Sequence, residues 1–254
     1  MPVTIGTSGW QYRDWRGVLY PEGLAQRRWL GRYVEAFATC ENNSAFYRLP
    51  SRETFASWRA QLPGDFTMAV KTSRFLTHIK RLRDAEEPVQ RFLDAAAGLG
   101  DRLGPVLVQL PPTMDADPAR LDACLALFPD HVRVAVEFRH DSWWTDDVRA
   151  ILTAHGAALC WADVRGRPRS PLWRTAAWAY LRMHQGMACP RPHYGDQAMR
   201  TWVRRLCGTW PENADVYVYF NNDPGGAAVR NAVRFAELTR AHGRVCTRTP
   251  RLGD

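Results

Sequence analysis

Charged and amide side chains stand at the ends of otherwise apolar segments throughout this chain. In VRVAVEFRHDSWW, Val132, Val134, Val136 and Phe138 alternate with Arg133, Ala135, Glu137 and Arg139. Glu41 and Asn43 close a second such run, and Arg182 and His184 a third. Lys71, Gln109, Asp163 and the triplet Asn221, Asn222 and Asp223 end four more. In a strand, residues two apart share a face, so each spaced pair points one way. A carboxylate buried alone is strongly unfavourable, so these groups must pair with one another, bind water or meet a ligand.

Several chemistries suit these residue types. Lys71, Arg139 and Arg182 are cations, and a guanidinium holds carboxylate or phosphate with two hydrogen bonds. Arg74, His78, Lys80 and Arg81 follow the segment that ends in Lys71 and add to this charge. With Glu137 or His184 moving protons, the set describes an enzyme for a small anionic substrate, phosphorylated or carboxylated. Gln109, Asn43, Asn221, Asn222, Asp223, Trp10 and His78 are the candidates for further substrate contacts. Gly225 and Gly226 precede a helix whose free N–H groups could hold phosphate, or they form a capped turn and nothing more.

Glu41, Glu137, Asp163 and His184 are also the types that hold Mg, Mn or Zn, which leaves a metal-dependent phosphoesterase or nuclease open. Glu41 and Glu137 could instead be the carboxyl pair of a glycoside hydrolase. Arg139 beside Glu137 argues against that, because it favours a permanently ionised group. A non-enzymatic reading is nucleic-acid binding, suggested by a net charge of +8, a pI near 9.5 and aromatics beside arginine in RDWRG, FYR and SWRAQ. No RNA-binding signature accompanies it. The purely structural alternative is an ion-pair network that satisfies itself.

The elements that must position these residues alternate along the chain. Strands are expected at 3–7, 38–43, 66–72, 105–110, 132–138, 157–163, 179–184 and 215–221. Helical spacing fills 24–37, 51–62, 88–103, 117–128, 145–155, 196–207 and 227–242, with Asp117-Pro118 as an N-cap and first-turn proline. Gly98 and Gly100 weaken the third of these helices. VRGRPRSPLWRTAA, between strands six and seven, has two prolines and reads as a loop. Eight strands alternating with helices point to a single (β/α)8 TIM-like barrel over 1–243, with an irregular connection between strands six and seven. The alternative is an open doubly wound sheet, but neither GxGxxG after a strand nor GxxxxGK[ST] occurs. In a barrel both faces of a strand are buried, and a Glu at its carboxyl end points into the mouth where active sites of this fold sit.

Hydrophobic residues make up 46% of the 254 positions and charged ones 24%, which is globular material. No apolar run is long enough to span a membrane, and MPVTIGTSGW lacks the regions of a signal peptide. Six cysteines form no CxxC pair, so a reducing, cytoplasmic setting is expected. The tail 244–254, with three arginines, is expected to be mobile.

The stretches GTSGWQYRDWRGVLYP, ENNSAFYRLPS, VKTSRFLTHIKRL, GPVLVQLPP, VEFRHDSW and YVYFNNDPGGAAVRNA occur in the order found in the YecE-like family, also called domain of unknown function seventy-two. The resemblance runs to about Gly243. It implies a β/α barrel with its site at the strand ends, and implies no particular activity. The chain departs from the family's pattern at Asn42, usually apolar, and at Gln185, which interrupts the usual His-Gly after His184.

Overall fold

The computed structural model describes residues 2–251. Its ten strands are β1 (Val3–Ser8), β2 (Thr39–Asn42), β3 (Thr67–Lys71), β4 (Leu103–Gln109), β5 (Val134–Glu137), β6 (Ala158–Leu159), β7 (Trp161–Val164), β8 (Arg167–Pro168), β9 (Ala179–Gln185) and β10 (Val216–Phe220). They form one sheet in the order β6-β5-β4-β3-β2-β1-β10-β9-β7-β8. Every pairing is parallel except the β7–β8 hairpin. The result is a mixed α/β fold with a curled ten-stranded sheet.

The sixth expected strand is divided at Cys160. Its first half pairs with β5 through Ala135↔Ala158 and Val136↔Leu159, and its second half pairs with β9 from Trp161↔Leu181 onward. The segment expected as a loop contains only the short β8.

Helices cover the sheet: α1 (Trp29–Ala36), α2 (Ser44–Tyr47), α3 (Arg52–Arg59), α4 (Glu86–Ala96), α5 (Pro118–Leu125), α6 (Asp146–Ala154), α7 (Asp196–Thr209) and α8 (Ala227–Ala241). Local capping starts three of them. Ser51, Asp117 and Thr145 accept from the backbone N–H three residues on, at 3.3, 3.0 and 3.3 Å. Gly98, expected to weaken a helix, allows a close approach. A Cβ there would lie 2.2 Å from the Arg52 carbonyl oxygen, so the α3 backbone presses directly on this turn.

Two apolar clusters explain the composition of the strands. Val70, Val106, Val108, Val136, Leu181, Val218 and Phe220 pack in the larger cluster, under the helices. Ala69, Leu107, Ala135, Ala158, Cys160, Tyr180, Tyr217 and Tyr219 form the smaller one, on the inner face of the curled sheet. Buried on both faces, the strands have no solvated side on which to leave a charge.

The tail is a correction. Arg244, 6% exposed, donates to the Trp210 and Pro211 carbonyls at 3.1 and 3.2 Å. Val3 N–H donates to Val245 O at 2.7 Å, and Thr247 N–H to Val3 O at 3.0 Å. Arg248 reaches the Val34 carbonyl and Asp65. Arg244 and Arg248 cap open carbonyls, so residues 244–248 are tied to the body of the fold; 252–254 lie outside the described residues.

Candidate functional site

Two-residue steps along the inner face lead from apolar to charged residues at the carboxyl ends. Ala69 gives way to Lys71, Leu107 to Gln109, Ala135 to Glu137, Tyr180 to Arg182 and then His184, and Tyr219 to Asn221. Thr39, hydrogen-bonded to the inner Tyr219 hydroxyl at 2.8 Å, precedes Glu41 in the same way.

Arg182 is the hub of this layer. Its Nη1 meets Glu137 Oε2 at 2.6 Å and its Nη2 meets Glu41 Oε1 at 2.7 Å, with all three residues no more than 1% exposed. Tyr180 Oη donates to Glu41 Oε2 at 2.7 Å. Glu137 also accepts from Arg139 Nε at 3.0 Å, from Gln109 Nε2 at 2.8 Å and from His184 Nε2 at 3.1 Å. Lys71 Nζ donates to Gln109 Oε1 at 2.8 Å and lies 3.7 Å from the centre of the Phe46 ring. A carboxylate only accepts, so His184 Nε2 carries its hydrogen and Nδ1 accepts from Asn221 Nδ2 at 3.2 Å.

Electrostatics follow this wiring. Burial is the largest single effect and would raise both carboxyls, but Arg182 together with the other donors, Tyr180 at Glu41 and His184 and Arg139 at Glu137, outweighs it. Glu41 is held below the usual carboxylate range and Glu137 well below. Burial pushes His184 down despite Glu137, and it pushes His78 down to about 4 with help from the Lys71 charge. Lys71 falls to about 8, through burial first and then the Arg182 charge. Asp223 rises to about 7, chiefly by burial, and its Oδ1 has no hydrogen-bond partner.

Above this layer opens a cavity of about 470 Å³. Its cationic lining is Lys71, Arg74, Arg139 and Arg182, joined by His78, Gln109, Asn43 and Asn221. Among the described residues no carboxylate lines it, since Glu41 and Glu137 lie beneath Arg182.

Residues 4–253 match the family described as protein of unknown function DUF72. The chain belongs to the DUF72 family. It is 25% identical to the UPF0759 protein YunF of Bacillus subtilis (strain 168), over 93% of this chain and 94% of that protein. It is 29% identical to the UPF0759 protein YecE of Escherichia coli (strain K12), over 56% of this chain and 50% of that one. A crystal structure of a DUF72 family protein from Thermotoga maritima MSB8 superposes with a TM-score of 0.81 at 27% identity, over 94% of this chain and 100% of that one. Another, from Enterococcus faecalis V583, gives 0.80 at 20% identity, over 99% and 100%.

Five expected members of the site in this DUF72 protein are elsewhere. Asp163 lies on the helix-facing side with Trp161. It accepts from Trp202 Nε1 at 2.6 Å and from Gly166 N–H at 2.9 Å. Asn222 likewise faces outward, donating to Pro192 O at 2.7 Å and Asn231 Oδ1 at 2.9 Å. Trp10 is core, packed edge-on against Trp58 at 5.5 Å. The Gly225–Gly226 turn has its N–H taken by Asp14 Oδ2 at 3.1 Å, and Arg191 and Val18 crowd the two glycines. Both are in the left-handed region, φ +67° and +73°, which accounts for their type without a phosphate.

The expected metal ligands do not converge. Among the described residues no group of three or more His, Cys, Asp and Glu could hold a metal ion. Asp163 points away, and Arg182 neutralises the two glutamates. Among the described residues no helix is long and apolar enough to cross a membrane.

Tyr180, Tyr12, Phe46 and Arg74 complete the site. Tyr180 is legible in the sequence as the residue two before Arg182. Arg74 is legible only as part of a basic loop, and its place depends on the π-helical turn Phe75–Ile79 that carries His78. Phe46 is legible only as an aromatic near arginine in FYR, and Tyr12 only as part of the stretch GTSGWQYRDWRGVLYP.

Proposed function

We propose that the cavity binds a small anionic substrate, phosphorylated or carboxylated, and that the protein is an enzyme acting on it. The observation that carries this reading is the separation of charge: four cations and no carboxylate at the cavity wall, with both glutamates beneath it. Glu41 and Glu137 hold Arg182 and Arg139 in position. As ionised, fully hydrogen-bonded groups they are poor acids or bases, which weakens the glycoside hydrolase reading. His184 has both ring nitrogens engaged, so proton transfer falls to His78. A bound anion would offset the Lys71, Arg139 and Arg74 charges that depress His78 and would return it toward neutrality.

Calorimetric titration with inorganic phosphate and with small carboxylates tests the reading. Arg139→Ala and Arg74→Ala should each weaken binding about tenfold, and the His78 pKa followed by NMR should rise from about 4 on saturation. No binding of any small anion at low salt would refute it.

We infer as well that the sheet closes as a β/α barrel across Cys160. Its N–H donates to Val136 O at 2.8 Å, while the following residue pairs with Leu181. Amide exchange at Cys160 and Trp161 as slow as in β1 supports closure; edge-like fast exchange would contradict it.

A further inference from the structure

We propose that Lys71 is a nucleophile that forms an imine with the carbonyl carbon of an aldehyde or 2-oxo compound bearing a phosphate or carboxylate, a proposal that rests on the anion-site reading above. The amine is built into the cavity wall, and Lys71 is only 8% exposed. Its hydrogen-bond acceptor is the neutral amide of Gln109, and among the described residues no Asp or Glu pairs with it. Gln109 is fixed from behind, because Nε2 donates to Glu137 and Oε1 must therefore face Lys71. One N–H of a neutral amine would satisfy that oxygen and leave the lone pair for substrate.

The surroundings favour the neutral form. Burial, with the Phe46 ring 3.7 Å from Nζ, and the Arg182 charge oppose a further cation and outweigh the pull of Glu137 and Glu41 beneath. Attraction to the ring favours the ammonium only modestly. With its pKa lowered to about 8, Lys71 holds far more free amine near neutral pH than an ordinary lysine does. Residue type points the same way: the chain has 32 arginines and only two lysines, Lys71 and Lys80. An arginine at 71 would hold an anion equally well but could not give up its proton.

The step balances without a redox partner. The Nζ lone pair adds to the carbonyl carbon, and the C=O π pair moves to oxygen, which takes a proton. His78 is the available carrier for the two Nζ hydrogens, the first going to that oxygen and the second to the resulting hydroxyl as the nitrogen lone pair forms the C=N bond. The C–O bond breaks, water leaves, and a C=N bond remains.

Pyridoxal 5′-phosphate, an aldehyde bearing a phosphate, is the probe, trapped with borohydride and mapped by peptide mass spectrometry on the full chain. The expected result is a secondary-amine adduct on Lys71 at about tenfold or more over Lys80. The adduct should increase with pH through about 8 and be suppressed by inorganic phosphate. Lys71→Arg should lose the adduct, because a guanidinium does not give up its proton; the wild-type map decides the matter if that variant misfolds. Label on Lys80 and the amino terminus with Lys71 bare overturns the proposal. Calorimetry with phosphate then separates the two failures: retained binding leaves the anion site standing, and lost binding removes both.

Discussion

Arg182 Nη1 and Glu137 Oε2 meet at 2.6 Å at the floor of the cavity, both nearly inaccessible to solvent. The other arm of the same guanidinium holds Glu41, so one residue on β9 ties together carboxylates from β5 and β2. Such a group is coupled, since the two carboxylates lose their water only because the guanidinium arms and the neighbouring donors replace it.

Replacing Arg182 by Met should therefore destabilise the fold by roughly 3–5 kcal/mol, because two buried carboxylates lose their counter-charge. Adding Glu41→Gln and Glu137→Gln to the same chain should recover most of that loss. Urea denaturation of the single and triple variants measures both. An additive, ever larger loss in the triple variant would contradict the coupling.

Asp223 gives a pH signature. Its folded pKa, about 7, lies above its unfolded value of about 3.9. Across that window the folded state holds a proton that the unfolded state has released, so this group's contribution to stability falls as pH rises. Asp223→Asn should leave the melting temperature nearly unchanged at pH 4 and raise it at pH 8. Scanning calorimetry at the two values reads the difference, and a lower melting temperature at pH 8 would reverse the sign.

Asp163 should prove structural. Asp163→Ala removes the acceptor of Trp202 Nε1 and Gly166 N–H and should cost about 1–3 kcal/mol. Phosphate affinity measured by calorimetry should stay within about twofold. A stable protein that no longer binds phosphate would return Asp163 to the site.

Truncation after Gly243 should lower the melting temperature on the order of 10 °C, through loss of the Val3 pairing and the Arg244 and Arg248 caps. An unchanged melting curve would contradict the docked tail.

Much of the candidate site is legible in the sequence because a strand's side-chain period is two. Glu137 followed by Arg139, and Arg182 followed by His184, declare a shared face by spacing alone. The same rule, carried through strand six, puts Ala158, Cys160 and Ala162 inside and Asp163 outside. Position at the strand end, taken without that parity, places Asp163 in the site wrongly. Asn222, beside the inward Asn221, is the same error by one residue.

Periodicity, caps and motif order are local, so the alternation of elements, the face on which each strand-end charge falls and the family can be read from the residues alone. Which charges cancel depends on packing across the sheet. Glu41 and Glu137 are distant in sequence, and either could have faced the cavity as an acid. The curl of the sheet lets Arg182 on β9 reach both, so the two carboxylates pair beneath it while Arg182, Lys71, Arg74 and Arg139 line the cavity. Coulombic pairing depends on ångström separations across the sheet, and no local pattern records them.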